Sequence, residues 1–260
     1  SVLERLQKTN PDAEIWWDSS PLIFDWWVKK NVDAAPAGEK KELEAQLKRL
    51  FAWDDMGKSV FRGCTTNPPL SLTAIKTDPP MWEKWVDETI KANPGIQLKD
   101  LWWMTYKEIV KRGAQKLLPL FEASGGRYGW VSGQLDPRLF TEKEIMYGQA
   151  DELHALSKNV MIKVPASQQG VDVVRHLTSK AIATNTTTCF TLPQIMAVAR
   201  AAQEGLADAT KNKVDMSGWR AVITHMLGRL TERPILPEQA AYYGVNWTEA
   251  DRKWFGIGVF

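Results

Sequence analysis

The chain has 260 residues, 44% hydrophobic and 25% charged, with 33 basic against 31 acidic side chains and a net charge of +2. That length supports one large core or two modest ones, and the balanced charge gives no electrostatic reason to bind nucleic acid. No apolar run reaches the roughly 18 residues of a membrane span, Ser1–Asn10 carries no leader-like apolar core, and two cysteines (Cys64, Cys189) are too few for a disulfide framework or a thiolate metal site. A cytoplasmic globular protein that needs no metal or cofactor is the expectation.

Short strand-like runs alternate with longer helical ones. Strands are expected at Glu14–Trp17, Ser59–Cys64, Tyr128–Ser132, Val160–Val164, Lys180–Ala183 and Arg220–Thr224. Helical patterns fill Gly38–Trp53, Pro80–Lys91, Leu98–Phe121, Glu142–Leu156, Gly170–Thr178, Pro193–Ala209 and Pro237–Tyr242, and one more starts near Trp247. Strand–helix alternation without hairpin signals predicts a parallel sheet with crossover helices. Between the first two strands, Asp25–Lys58 is a helical insertion that opens with a loop-like stretch, Lys30–Gly38, and could form a lid, an oligomer contact or plain surface. Thirteen tryptophans include the pairs Trp16–Trp17, Trp26–Trp27 and Trp102–Trp103. In such pairs one ring commonly enters the core while its neighbour covers a helix or rims a pocket; sugar or partner stacking is the alternative.

Each strand-like run closes on a polar residue: Asp18, Asn67, Gln134, Lys163, Asn185 and Thr224. Six strands delivering side chains to one face favour a closed barrel over a doubly wound sheet, where fewer strands reach the crevice. Lys163 lies inside the apolar run Val160–Val164, where a full charge is costly. Such a lysine either gives up its proton and attacks a carbonyl, or it snorkels to the rim or pairs with a structural carboxylate. Asp18 taken alone could be a helix cap, and Asn67 and Asn185 could be turn residues. Together, one amine, one carboxylate and two amides suit a site for a hydroxylated carbonyl compound.

The stretches Gly63-Cys64-Thr65-Thr66-Asn67-Pro68-Pro69-Leu70, Val131-Ser132-Gly133-Gln134-Leu135-Asp136-Pro137-Arg138, Met161-Ile162-Lys163-Val164-Pro165-Ala166-Ser167 with Gly170, Ala183-Thr184-Asn185-Thr186-Thr187-Thr188-Cys189-Phe190, and Gly228-Arg229 occur in that order. The sequence so resembles the transaldolase family of Schiff-base (class I) aldolases, which includes transaldolases and fructose 6-phosphate aldolases. The resemblance implies an α/β, TIM-type (α/β)8 barrel spanning 1–260 as a single domain, with the insertion at about 25–58. It implies that Lys163 forms the Schiff base with a ketose. It also implies that Asp18 takes the C4 hydroxyl proton, Asn67 and Asn185 hold the dihydroxyacetone unit, and Thr187 helps to hold the catalytic water. Thr224 matches a sixth-strand serine and Arg229 a phosphate-binding arginine. The implied partners are keto-sugar and aldose substrates bearing phosphate, without nucleic acid or membrane, and a homo-oligomer is possible.

Two departures bear on the chemistry. Gln134 stands where transaldolases proper carry a glutamate that relays a proton through water; the fructose 6-phosphate aldolase branch also has glutamine there. That branch uses a tyrosine acid on the sixth strand, where this chain has Met226; His225 is the neighbouring candidate, though strand alternation turns it the opposite way. Arg138 has structural and ligand roles open to it. After the sixth strand only Gly228–Phe260 remain, so the last two strands are missing from the 260 residues, and a truncated chain is the expectation. Transfer of a dihydroxyacetone unit leads. Cleavage of fructose 6-phosphate or a sulfonated keto-sugar follows, then sugar-phosphate isomerisation and a non-catalytic homologue. Full exposure of Lys163, or an Asp18 that faces away from it, would favour that last alternative.

Overall fold

A computed structural model describes residues 1–226, 228 and 235–251. Its described residues contain a six-stranded sheet in the order β1 (Ile15–Asp18), β2 (Phe61–Thr65), β3 (Trp130–Gln134), β4 (Val160–Pro165), β5 (Thr184–Cys189), β6 (Ala221–His225), so every strand lies beside its sequence neighbour. The pairs β1–β2, β2–β3, β4–β5 and β5–β6 are parallel. A doubly wound sheet reverses strand order at a switch point; this order does not, and it is that of the first six strands of a TIM-type barrel. No described helix is long and apolar enough to cross a membrane.

The chain divides into two compact units, Ser1–Gln134 with Asp151–Met161, and Leu135–Ala150 with the described part of 162–260. The first holds α1 (Val2–Thr9), β1 (Ile15–Asp18), α2 (Phe24–Ala34), α3 (Lys40–Lys48), β2 (Phe61–Thr65), α4 (Pro68–Thr77), α5 (Pro79–Ala92), α6 (Leu98–Ala123) and β3 (Trp130–Gln134). Alternation along β1 separates its tandem tryptophans. Trp16 lies over Gly63, where an added Cβ would stand 2.8 Å from the indole. Trp17 joins an aromatic cluster with Phe24, Trp27, Phe51 and Phe61, at ring-centroid distances of 5.3 to 6.4 Å. Trp27 is half-buried there while Trp26 is exposed, the division expected of a tandem pair.

The loop expected at Lys30–Gly38 is shorter than its composition suggested, because α2 runs on to Ala34. Phe24, Val28 and Val32 fall at the helical spacing and lie along one groove, and that stripe carries the helix through the polar residues between them. α6 buries Tyr106, Ile109, Val110, Gly113, Leu117 and Leu120 at three- and four-residue intervals. Asn159 Nδ2 donates to Ala114 O (2.9 Å) and Gly129 O (2.8 Å), tying this helix to the approach of β3.

The second unit contains β5 (Thr184–Cys189), α8 (Gln168–Ser179), α9 (Leu192–Lys211), β6 (Ala221–His225) and α10 (Ile235–Tyr242), while α7 (Lys143–His154) and β4 (Val160–Pro165) begin or end in the other. The fifth strand is displaced from the expected Lys180–Ala183. Lys180 caps α8, and Ala181 makes a left-handed turn at φ 59°. The strand is the threonine-rich run that follows, whose β-branched side chains suit a pleated surface. Gly170 is required at the start of α8, since a Cβ there would meet Pro165 O at 1.8 Å.

Candidate active site

Lys163 occupies the interior of β4, not its end, and is 5% exposed. Its register partner on β5 is Asn185, itself buried and near the start of that strand. Register partners in a parallel pair present their side chains to the same face. Thr224 Oγ1 on β6 donates to Asn185 Oδ1 at 2.7 Å, so the amide oxygen is engaged and Nδ2 forms the donor end. Thr187 stands two residues beyond Asn185 on the same face and is also buried; its Oγ1 approaches Met226 Sδ at 3.8 Å. The second unit thus assembles amine, amide and two hydroxyls on neighbouring strands. His225 pairs in register with Cys189 and faces away from Thr224, its Nε2 lying 3.4 Å from Phe190 O.

The ends of β4 and β5 are clamped by a residue that sequence reasoning passed over. Gln194 Oε1 accepts from Phe190 N (2.9 Å) and Thr191 N (3.2 Å), and Nε2 donates to Ala166 O (3.2 Å) and Thr188 O (3.3 Å). A signal was present: Thr191-Leu192-Pro193-Gln194 has the threonine-to-glutamine spacing of a helix start.

In the first unit, Asp18 is the exposed last residue of β1. Asn67 lies two residues beyond β2 and caps α4, its Oδ1 accepting from Leu70 N at 2.9 Å. Gln134 ends β3, and its backbone N–H donates to the buried Tyr106 hydroxyl at 2.7 Å. Burial pushes that phenol well above its ordinary value, so it stays protonated.

Asp136 and Arg138, in the second unit, pair directly: Arg138 Nε reaches Oδ1 at 2.9 Å and Nη2 reaches Oδ2 at 2.6 Å. Burial raises the Asp136 carboxyl, but hydrogen bonds from Arg138 outweigh it and hold the group below its usual range. This pair braces the turn that follows β3. Both cysteines are free and buried; burial pushes Cys189 up to about 11 and Cys64 well above its ordinary value. The described residues contain no cluster of His, Cys, Asp or Glu suited to a metal ion. A groove of about 630 Å³ between α2, α3 and residues 49–55 is lined by none of the expected site residues. Arg229, the expected phosphate ligand, lies outside the described residues.

The family model described as Transaldolase/Fructose-6-phosphate aldolase matches residues 47–236. This stretch contains Asn67, Gln134, Lys163, Asn185, Thr187, Thr224 and Arg229 but not Asp18. Transaldolase 1 of Streptomyces avermitilis is 31% identical over 170 residues, which is 65% of this chain and 44% of the relative. A Campylobacter jejuni transaldolase is 32% identical over 154 residues (58% and 45%), and one from Thiobacillus denitrificans 29% over 190 (72% and 50%). The aligned regions therefore span about half the length of these relatives or less. With the strand order and the matched motifs, the family model places the chain in the transaldolase/fructose-6-phosphate aldolase family.

Proposed function

We propose that the protein is a Schiff-base enzyme that transfers a dihydroxyacetone unit from a ketose phosphate to an aldose phosphate. The observation that carries this reading is Lys163, 5% exposed inside an apolar strand and in register with Asn185. The burial of Lys163 weighs against the non-catalytic alternative, which called for a fully exposed lysine or an Asp18 facing away from it. The Lys163 amine attacks the ketose carbonyl and water leaves, giving an iminium ion. Asp18 takes the proton of the C4 hydroxyl, the C3–C4 bond breaks, and its electron pair moves into the iminium as an enamine while the aldose departs. The enamine then adds to the aldehyde of the acceptor, the new alkoxide recovers the proton from Asp18, and hydrolysis frees Lys163.

In this scheme Asn67 and Asn185 hold the hydroxyls of the three-carbon unit through their donor ends, and Thr224 fixes the orientation of the Asn185 amide. Thr187 and Gln134 hold the water, and Arg229 pairs with phosphate. Cleavage, in which the enamine is protonated and dihydroxyacetone released, is the second reading; it is favoured by the resemblance to the fructose 6-phosphate aldolase branch, which also has glutamine at the position of Gln134. Borohydride reduction in the presence of fructose 6-phosphate tests the covalent step. Reduced adduct should map to Lys163 by peptide mass, and Lys163→Arg should be inactive because its guanidinium stays protonated. Turnover without a trapped lysine, or an adduct on another lysine, rejects the mechanism.

A further inference from the structure

We propose that Gln194 is a positioning residue for the Thr187 hydroxyl, acting through a β-bulge that it locks at the end of β5. This inference rests on the Schiff-base reading, in which Thr187 holds the catalytic water. Thr186 pairs with Ile223 and the next matched pair is Cys189 with His225, so Thr187 and Thr188 together oppose Thr224. Bulges are uncommon in parallel sheets and collect beside active sites. The extra residue, Thr188, holds φ at +59°, a conformation in which a β-branched side chain is a true outlier. Such a conformation persists only where its surroundings over-determine it.

They do so here. Thr188 Oγ1 donates to Thr187 O at 2.6 Å, and Ala166 N donates to the same carbonyl at 2.8 Å. Gln194 Nε2 donates both to Thr188 O and to Ala166 O, joining the bulge to the end of β4, while its Oε1 holds the N–H groups of Phe190 and Thr191 where the chain turns into α9. The bulge also resets the side-chain alternation. A regular strand would put Cys189 on the same side as Asn185 and Thr187; the extra residue sends Cys189 to the opposite face with His225. Thr187, the residue just before the extra one, shares the face of Lys163 and Asn185, with its hydroxyl against Met226 and its carbonyl held in the bulge.

The test is a double-mutant cycle on the protein with fructose 6-phosphate as donor and erythrose 4-phosphate as acceptor. Gln194→Glu keeps the shape and both acceptor contacts but cannot donate to Ala166 O or Thr188 O. Its rate of borohydride trapping at Lys163 should match wild type, with KM within about twofold and kcat lower by roughly tenfold or more. Thr187→Val should lower kcat in the same way, and the double variant should be no slower than Thr187→Val alone, within about twofold. Losses that multiply in the double variant, or trapping slowed as much as turnover, overturn the proposal while leaving the Schiff base intact. Absence of any lysine adduct in the wild type overturns the underlying mechanism and this proposal with it. If Gln194→Glu does not fold, Gln194→Met, which keeps the bulk without donor or acceptor, carries the same cycle.

Discussion

A charged side chain can be kept under cover when several donors converge on it, and Asp136 illustrates this in the second unit. It is 5% exposed and accepts from Arg138 through both the side chain and the backbone N–H. Burial works against its ionisation and the hydrogen bonds work for it, with a net lowering from 3.8. A carboxyl lowered in the folded state contributes stability that is fully present above its unfolded value and is lost as the pH falls through the lower folded value. Asp136→Asn should therefore be less stable by about 1–2 kcal/mol at neutral pH. Urea denaturation at a series of pH values should show the gap between wild type and variant closing only as the pH drops below 3.8. A gap that persists unchanged through acid would mean that the carboxylate charge contributes nothing.

Among the elements, the junction of β4 and α8 is tightly specified. Pro165 ends the strand, Ser167 Oγ accepts from Gly170 N at 3.0 Å and donates to Phe140 O at 2.9 Å, and no side chain fits at 170. Alanine in a helix interior gains up to about 1 kcal/mol over glycine, but a Cβ driven against backbone costs about 1–3 kcal/mol or more, so the clash decides the sign. Gly170→Ala should lower the denaturation midpoint, and equal or greater stability would show that α8 can shift freely. Both elements were legible in the sequence from their apolar patterns, the strand at Val160–Val164 and the helix at Gly170–Thr178, although the serine cap that starts α8 two residues earlier was not read. β5 was less so. Its residues are Thr-Asn-Thr-Thr-Thr-Cys, and hydrophobic counting passes over buried threonines in favour of Ala181-Ile182-Ala183, which is a turn closing a helix. The place of Lys163 inside a buried strand could be read from its apolar neighbours. The Thr224–Asn185 bond and the bulge at Thr188 could not, since both depend on register between strands that the chain does not encode locally.

At the scale of the whole molecule, the open choice is between transfer and cleavage, and it turns on how an enamine is quenched. A cleaving enzyme must deliver a proton quickly, whereas a transferase must withhold it until an acceptor aldehyde arrives. Gln134 cannot act as that acid and neither can Met226, while His225 faces away from Thr224. With these groups unable to serve as the acid, the enamine should survive long enough to be captured. Product formation from fructose 6-phosphate should therefore rise at least roughly tenfold when erythrose 4-phosphate or glyceraldehyde 3-phosphate is supplied, a difference of about 1.4 kcal/mol in effective barrier. Chromatographic measurement of free dihydroxyacetone provides the check: accumulation at one rate with and without acceptor would establish cleavage instead. Gln134→Glu is the companion variant. It restores a group able to exchange a proton through water, so it should increase transfer if the rest of the water site suits that relay. A collapse of activity would show that the site is built around an amide, and would direct the search to keto-sugars with a modified head group.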